Sequence, residues 1–256
     1  MSLSSADMQR QSELWIKASP NISIIVPVLD ESHRVRPFLE HLRERAPGVE
    51  IIVVNATGSQ SVPQSTATLC DQVLTTRRGR AAQMNAGAKA AHGDVFWFVH
   101  ADCQVPSNCL VEIARVLADP RIVGGCFRIR FPRRELVYRV SDAGGNLAVE
   151  LFGRCYGDHG IFCRREDFTA IGGYPDVPLF EDAEFSGRLR RRGRTRQFAS
   201  KIITSPRRYE NIGPYRLTAA YLLLSMLYFL GISIALLARI YNYLCRSADE
   251  RARAPR

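Results

Sequence analysis

The sequence predicts an α/β domain on a mostly parallel, Rossmann-like sheet flanked by helices, with an apolar helical appendage at its carboxyl end. Three observations predict it. Short β-branched runs at 22–29, 50–55, 72–75 and 95–99 alternate with helix-forming stretches at about 33–45, 61–69 and 81–91. The run 95–99 is apolar without a break, the pattern of a strand covered on both faces. The uncharged stretch 217–238 comes after this alternation has ended.

Taken in order, residues 1–19 read as a flexible leader and 20–210 as the domain. In the first strand, Pro27 marks an end or bulge near the exit. Asp30, Glu31 and Ser32 then supply acids and a cap to the next helix, where Pro37 fits only in the first turn. Thr57-Gly58-Ser59 closes the second strand. Arg77-Arg78-Gly79-Arg80 opens the alanine-rich helix that ends before Gly93. After the strand 95–99, Ser107 is placed to cap a helix reaching about 119. Residues 123–131 alternate as a strand with one wet face, and 135–152 read as a helix interrupted at Gly144-Gly145. A loop at 157–163 enters a short strand, and a helix at 164–171 stops at Gly172-Gly173. The helix 180–192 has acids first and arginines last, and 197–204 is the final strand.

The formal charge of +10 is carried mostly by arginine, clustered at 188–196 and again at Arg207 and Arg208. Such a surplus suits nucleotide diphosphates, anionic head groups or nucleic acid. Nucleic acid is set aside, because the basic residues are not interleaved with aromatics on a sheet face and no recognition motif occurs. Seven cysteines form no CxxC pair, which points to reduced thiols in the cytoplasm, and no apolar signal segment opens the chain. In the tail, residues 211–256, the uncharged stretch is a membrane candidate that Gly231 could split into two shorter helices. It then either meets a membrane surface at the cytoplasmic face or packs in a core or homodimer.

Chemistry concentrates at His100-Ala101-Asp102-Cys103, where the strand 95–99 turns polar. Side chains two apart on a strand share a face, so His100 and Asp102 are expected together at the sheet edge where open α/β folds bind ligands. An imidazole and a carboxylate there could hold a hard divalent cation and, through it, a diphosphate. A strand end that simply becomes polar reads the same way. Gly157-Asp158-His159-Gly160 fits a loop near substrate or an ordinary turn, with His159 read as a surface residue or a proton carrier.

Six segments carry a resemblance: IIVPVLDE (24–31), IIVVNATGS (51–59), GRAAQMNAGAKAAHGD (79–94), FVHADC (98–103), GDHGIFCRREDFTAIGGY (157–174) and LFEDAEFSGRLRRRGR (179–194). In that order, over about residues 21–210, the chain resembles the family-two glycosyltransferases of the GT-A fold. The His-Ala-Asp triplet, GDHGIF and PLFEDAE look closest to a bacterial branch. The resemblance implies inverting transfer of a sugar from a nucleotide-diphosphate donor to a saccharide, lipid or small-molecule acceptor. It puts Pro27, Asp30 and Glu31 at the nucleobase and ribose, with Asn55 where the family usually has a base-reading aspartate. Arg80, Asn85, Ala101 and Asp102 fall in donor-binding segments. His100 and Asp102 stand in the family's Asp-x-Asp metal motif, where an imidazole tolerates manganese better than magnesium. Asp182 aligns with the general base, although acids in a helix's first turn also complement its dipole without catalysis. Asp158, His159 and Glu181 fall on the acceptor side. Loss of two motif acids, at His100 and Cys103, leaves a second reading: a silent nucleotide-sugar-binding or membrane-scaffold protein on the same fold.

Overall fold

The computed structural model describes residues 20–29, 32–58 and 62–245, with only the backbone given for Ser32 and His33. The leader at 1–19 and the loop residues Asp30 and Glu31 lie outside the described residues. The first half of the domain runs β1 (Ile22–Val28), α1 (Ser32–Arg45), β2 (Glu50–Ala56), α2 (Gln64–Ala67), β3 (Gln72–Thr76), α3 (Arg80–Ala90) and β4 (Val95–Phe98). The second half runs β5 (Cys103–Gln104), α4 (Cys109–Leu117), β6 (Ile122–Arg130), α5 (Leu136–Phe152), β7 (Phe162–Arg164), α6 (Arg165–Ala170), α7 (Glu181–Arg192) and β8 (Arg194–Thr204). Three further helices follow: α8 (Arg207–Ile212), α9 (Pro214–Phe229) and α10 (Ile234–Leu244).

All eight strands join one sheet in the order β3-β2-β1-β4-β7-β6-β8-β5. β1 to β4 are parallel, as expected from their helical crossovers. β7 runs antiparallel to both β4 and β6, and β5 antiparallel to β8, so the sheet is mixed. Both exceptions are short strands, three residues in β7 and two in β5, entered from the single turns at 157–159 and 100–102.

β4 shows why the sheet is buried on both sides. Val95, Trp97 and Val99 enter one core with Ile24, Leu39 and Phe127, while Phe96 and Phe98 enter the other with Phe168 and Phe185. That division is the strand's period of two, and burying each large side chain contributes about 1.5–3 kcal/mol.

Several expected elements shift for identifiable reasons. β6 is buried on both faces rather than wet on one, because α4, α5 and α7 pack against it. α5 runs unbroken through Gly144 and Gly145, whose missing side chains admit Leu222 and Ile129; added Cβ atoms would lie 3.6 and 3.1 Å from them. Pro37 sits in the second turn of α1, forgoing a bond to the carbonyl of residue 33. α4 begins after Asn108 without a side-chain cap, so Ser107 does not start it. The helix expected at 61–69 is a single turn, and β8 begins at Arg194.

The tail divides where Gly231 turns at φ +81°. No described helix is long and apolar enough to cross a membrane. α8, α9 and α10 share a third core with Phe131, Val137 and Tyr138, so the tail packs on the domain.

Candidate active site

β1 and β2 end side by side, Val28 opposite Asn55. Pro27 stands past the last rung between β1 and β4, where its missing N–H has no partner strand to serve. Asn55 is buried at the end of β2. Gln83, from α3, donates to the carbonyls of Val28 and Val54 at 2.8 Å each and ties the two exits together. Asn85, two residues further along α3, spends its amide on the Tyr174 backbone, donating to the carbonyl and accepting from the N–H at 2.9 Å each. It therefore holds the Gly172–Tyr174 turn against the helix.

β4 stops at Phe98, and His100 to Asp102 form a turn into β5. Strand alternation therefore does not set the relation of His100 to Asp102; the turn does. Ala101 is buried within it. Cys103 donates its thiol to the His100 carbonyl at 3.0 Å, and burial raises it well above the usual thiol range. It is a brace for the turn rather than a ligand.

From the other side comes α7, whose first residues are Glu181 and Asp182. Phe180, just before them, is the one non-glycine residue with positive φ (62°) among the described residues. Its ring packs 4.7 Å from that of Tyr228, which holds the backbone in a conformation costing about 1–2 kcal/mol.

The two halves meet at Gly157. A Cβ there would lie 2.3 Å from His100 Nε2 and 2.8 Å from Asp182 Oδ2, so no larger residue fits between them. The Gly157 N–H also donates to Asp182. Around this point lie Arg80, whose guanidinium is 3.6 Å from Glu181, and Asp158, 36 % of whose side chain is open. His159 is fully buried rather than at the surface, wedged between the Tyr156 backbone and α5 at Gly145.

Burial raises the Asp182 carboxyl well above the usual range; Glu181 and Asp158 add to this, and Arg80 opposes it. Burial also raises Asp102, with Asp158 adding and Arg207 and Arg80 opposing. For Asp158, burial is outweighed by the His159 hydrogen bond and the His159 and His100 charges, and its carboxyl is held low. Asp102 and Asp182 thus share the same two charged neighbours, Arg80 and Asp158. The Asp182 Oδ1 atom is buried with no hydrogen-bond partner among the described residues.

Among the described residues no three His, Cys, Asp or Glu side chains are placed to hold a metal ion together. His100 and Asp102 are the two such side chains of this turn, and an ion there would have to take its other positions from phosphate oxygens and water. Of the late arginines, Arg207 acts on Asp102, whereas those at 190–196 lie elsewhere. Arg190, Arg194 and Arg196 line a cavity of about 1040 Å³ toward the far end of α7, roughly 15 Å along that helix from Asp182.

Of the residues the sequence singled out, Arg80, His100, Asp102, Asp158, His159, Glu181 and Asp182 come together here. Asp30 and Glu31 lie outside the described residues. Gly157 was read only as part of a loop near substrate or an ordinary turn, and Gln83 and Phe180 escaped the sequence reading. A lone glutamine among alanines was a faint signal for Gln83; no local signal marked Phe180.

The glycosyl transferase family 2 model matches residues 23–156, just over half of the chain. The chain belongs to glycosyl transferase family 2. It is therefore a glycosyltransferase, and the matched stretch contains β1 to β4 and the His100–Asp102 turn but ends before Asp158 and Asp182. A search of curated proteins found no match. Among solved structures, a mannosyltransferase from Pyrobaculum calidifontis in complex with GDP-mannose and Mn²⁺ is similar. It has a TM-score of 0.67 at 18 % identity, over 93 % of this chain and 76 % of that one. A mycobacterial protein gives 0.60 at 18 % identity, over 86 % and 78 %. S. aureus TarS 1–349 in complex with UDP-GlcNAc gives 0.57 at 14 %, over 78 % and 65 %. At these identities the structures show that the family 2 chain shares their GT-A-like α/β fold.

Proposed function

We propose that this family 2 glycosyltransferase moves a sugar, with inversion, from a nucleotide-diphosphate donor to an acceptor hydroxyl, with Asp182 as general base. The observation that carries the reading is the Gly157 junction, which sets a donor-side imidazole and a buried carboxylate against one backbone position. The nucleoside would lie over the exits of β1 and β2, beside Pro27 and Asn55, with Asp30 and Glu31 in the adjoining loop. The diphosphate would lie at the turn formed by His100, Ala101 and Asp102, within the field of Arg80 and Arg207. A divalent cation, Mn²⁺ in preference to Mg²⁺, would be held by Asp102 and His100 and would neutralise charge on the departing diphosphate.

Asp182 suits proton abstraction because burial and Glu181 make it more basic than a free aspartate. Arg80, between the acids and the diphosphate side, stabilises charge as it develops. Asp158, His159 and Glu181 border the acceptor side, and Asn85 positions the turn behind it. A cytoplasmic reaction is part of this proposal, and the sequence pattern that supports it is seven cysteines with no CxxC pair.

The test is release of nucleoside diphosphate from a panel of GDP- and UDP-sugars, with and without Mn²⁺. The expected result is slow hydrolysis of one donor, faster with Mn²⁺ and lost in His100→Ala/Asp102→Ala. Failure of every donor to bind or turn over would contradict the proposal.

A further inference from the structure

The exposed large apolar side chains concentrate on three helices, α5, α9 and α10, of which α9 packs against both others. Of the sixteen that are exposed among the described residues, fourteen lie on α5, α9, α10 or the turn between the last two. On α5, Leu136, Val140, Leu147 and Leu151 recur at helical spacing along one outward stripe. α9 runs beside α5 in the same direction: Ser141 meets Thr218 at 3.0 Å, and the Phe152 and Phe229 rings lie 4.3 Å apart. Leu222 and Met226 continue the apolar surface across α9. An apolar face of this extent marks an interaction site.

Charge selects its occupant. No Asp or Glu occurs from 211 to 245, while Arg216 and Arg239 lie on α9 and α10 and Arg139 on α5. In a twofold dimer through this face those arginines would find acids only on α5, at Asp142 and Glu150, and these are already engaged by the Phe131 N–H and by Arg128. Anionic head groups would meet them. α9 has 16 residues and is about 24 Å long, short of the ~30 Å hydrocarbon core, and no described helix can span. Tyr215 and Tyr243 are 76 % and 79 % exposed, as suits rings at head-group depth.

We propose that α5, α9 and α10 dock this protein flat on an anionic bilayer surface, and that its acceptor is membrane-held. The face adjoins the site. Tyr156 bonds to Ser225 of α9 at 3.2 Å, Phe180 stacks on Tyr228, and the Tyr228 hydroxyl bonds to Glu184 of α7. A head group rising beside α9 therefore arrives at the Asp182 end of α7. Only this delivery step rests on the sugar-transfer reading; the docking stands without it.

Flotation of the full chain with phosphatidylglycerol and with phosphatidylcholine vesicles tests the docking. The protein is expected to float with the first, and to bind the second, or the first at high salt, about tenfold more weakly. Leu147→Glu and Leu222→Glu are each expected to weaken binding about tenfold while donor hydrolysis stays at the wild-type rate. Wild-type protein that ignores both vesicle types overturns the proposal, whether or not the variants fold. Equal binding to both overturns the charge argument. A sedimenting dimer that Leu222→Glu splits, without vesicle binding, assigns the face to a second copy instead. Donor hydrolysis read on the same samples separates failure of docking from failure of transfer.

Discussion

Burial and the neighbouring Glu181 raise the Asp182 carboxyl well above a free aspartate's range, and Arg80 opposes them only in part. The unfolded chain has a pKa near 3.9 at this position. The folded state therefore binds the proton more tightly, and the stability linked to it is full below about pH 4 and lost as pH rises through the raised folded value. Asp182→Asn removes that penalty while keeping the shape. Calorimetry at pH 7 should show the variant melting a few degrees higher than wild type, with the gap closing toward pH 4. Its turnover should fall by about 10²–10⁴. A lower melting temperature would show that the carboxylate is a structural asset. Gly157→Ala probes the same junction through its backbone. The added methyl must displace His100 or Asp182, so donor turnover should drop by about tenfold or more while circular dichroism stays native. Unchanged turnover would separate this position from the chemistry.

At the scale of elements, β6 and β8 are held by a contact that side chains do not make. A Cβ on Gly125 would lie 2.0 Å from the Arg196 carbonyl oxygen, a backbone atom that cannot swing away. Gly125→Ala is expected to destabilise the fold by about 3 kcal/mol or more, read by urea denaturation. A change within about 0.5 kcal/mol would mean that the strands part without cost. This contact also shows where sequence pattern stops informing. β4 announced both its faces, because unbroken apolar runs have one interpretation. In β6 the alternation through Gly124 and Gly125 suggested one wet face, whereas these glycines admit neighbouring backbone from β7 and β8. Gly144 and Gly145 likewise looked like a helix break and are a packing site for α9 and β6. Each case turns on a partner far along the chain, which local pattern does not contain.

For the molecule as a whole, the order of motifs made the gathering of His100, Asp102, Asp158, Glu181 and Asp182 legible before any coordinates. Their mutual geometry was not. The His100–Asp102 pair had been referred to strand alternation and proves to be set by a turn, while Gln83 and Phe180 act through contacts with no sequence signature. The tail was legible as two apolar segments split at Gly231, but its attachment to the domain was not. Leu217, Ala220 and Cys245 cover Phe131, Val137 and Tyr138. Truncation after residue 210 is accordingly expected to yield insoluble protein, or protein melting well below the full chain, even without membranes present. A truncated domain as soluble and as heat-stable as the full chain would show that the third core contributes nothing.

The central claim is that Asp102 and Asp182 serve one cleft in different roles, the first toward the donor's diphosphate and the second toward the acceptor's proton. The most direct measurement is single-turnover release of nucleoside diphosphate from saturating donor by Asp182→Asn, with donor affinity measured alongside. The account predicts wild-type affinity with release slowed by about 10²–10⁴. Release at the wild-type rate would contradict it.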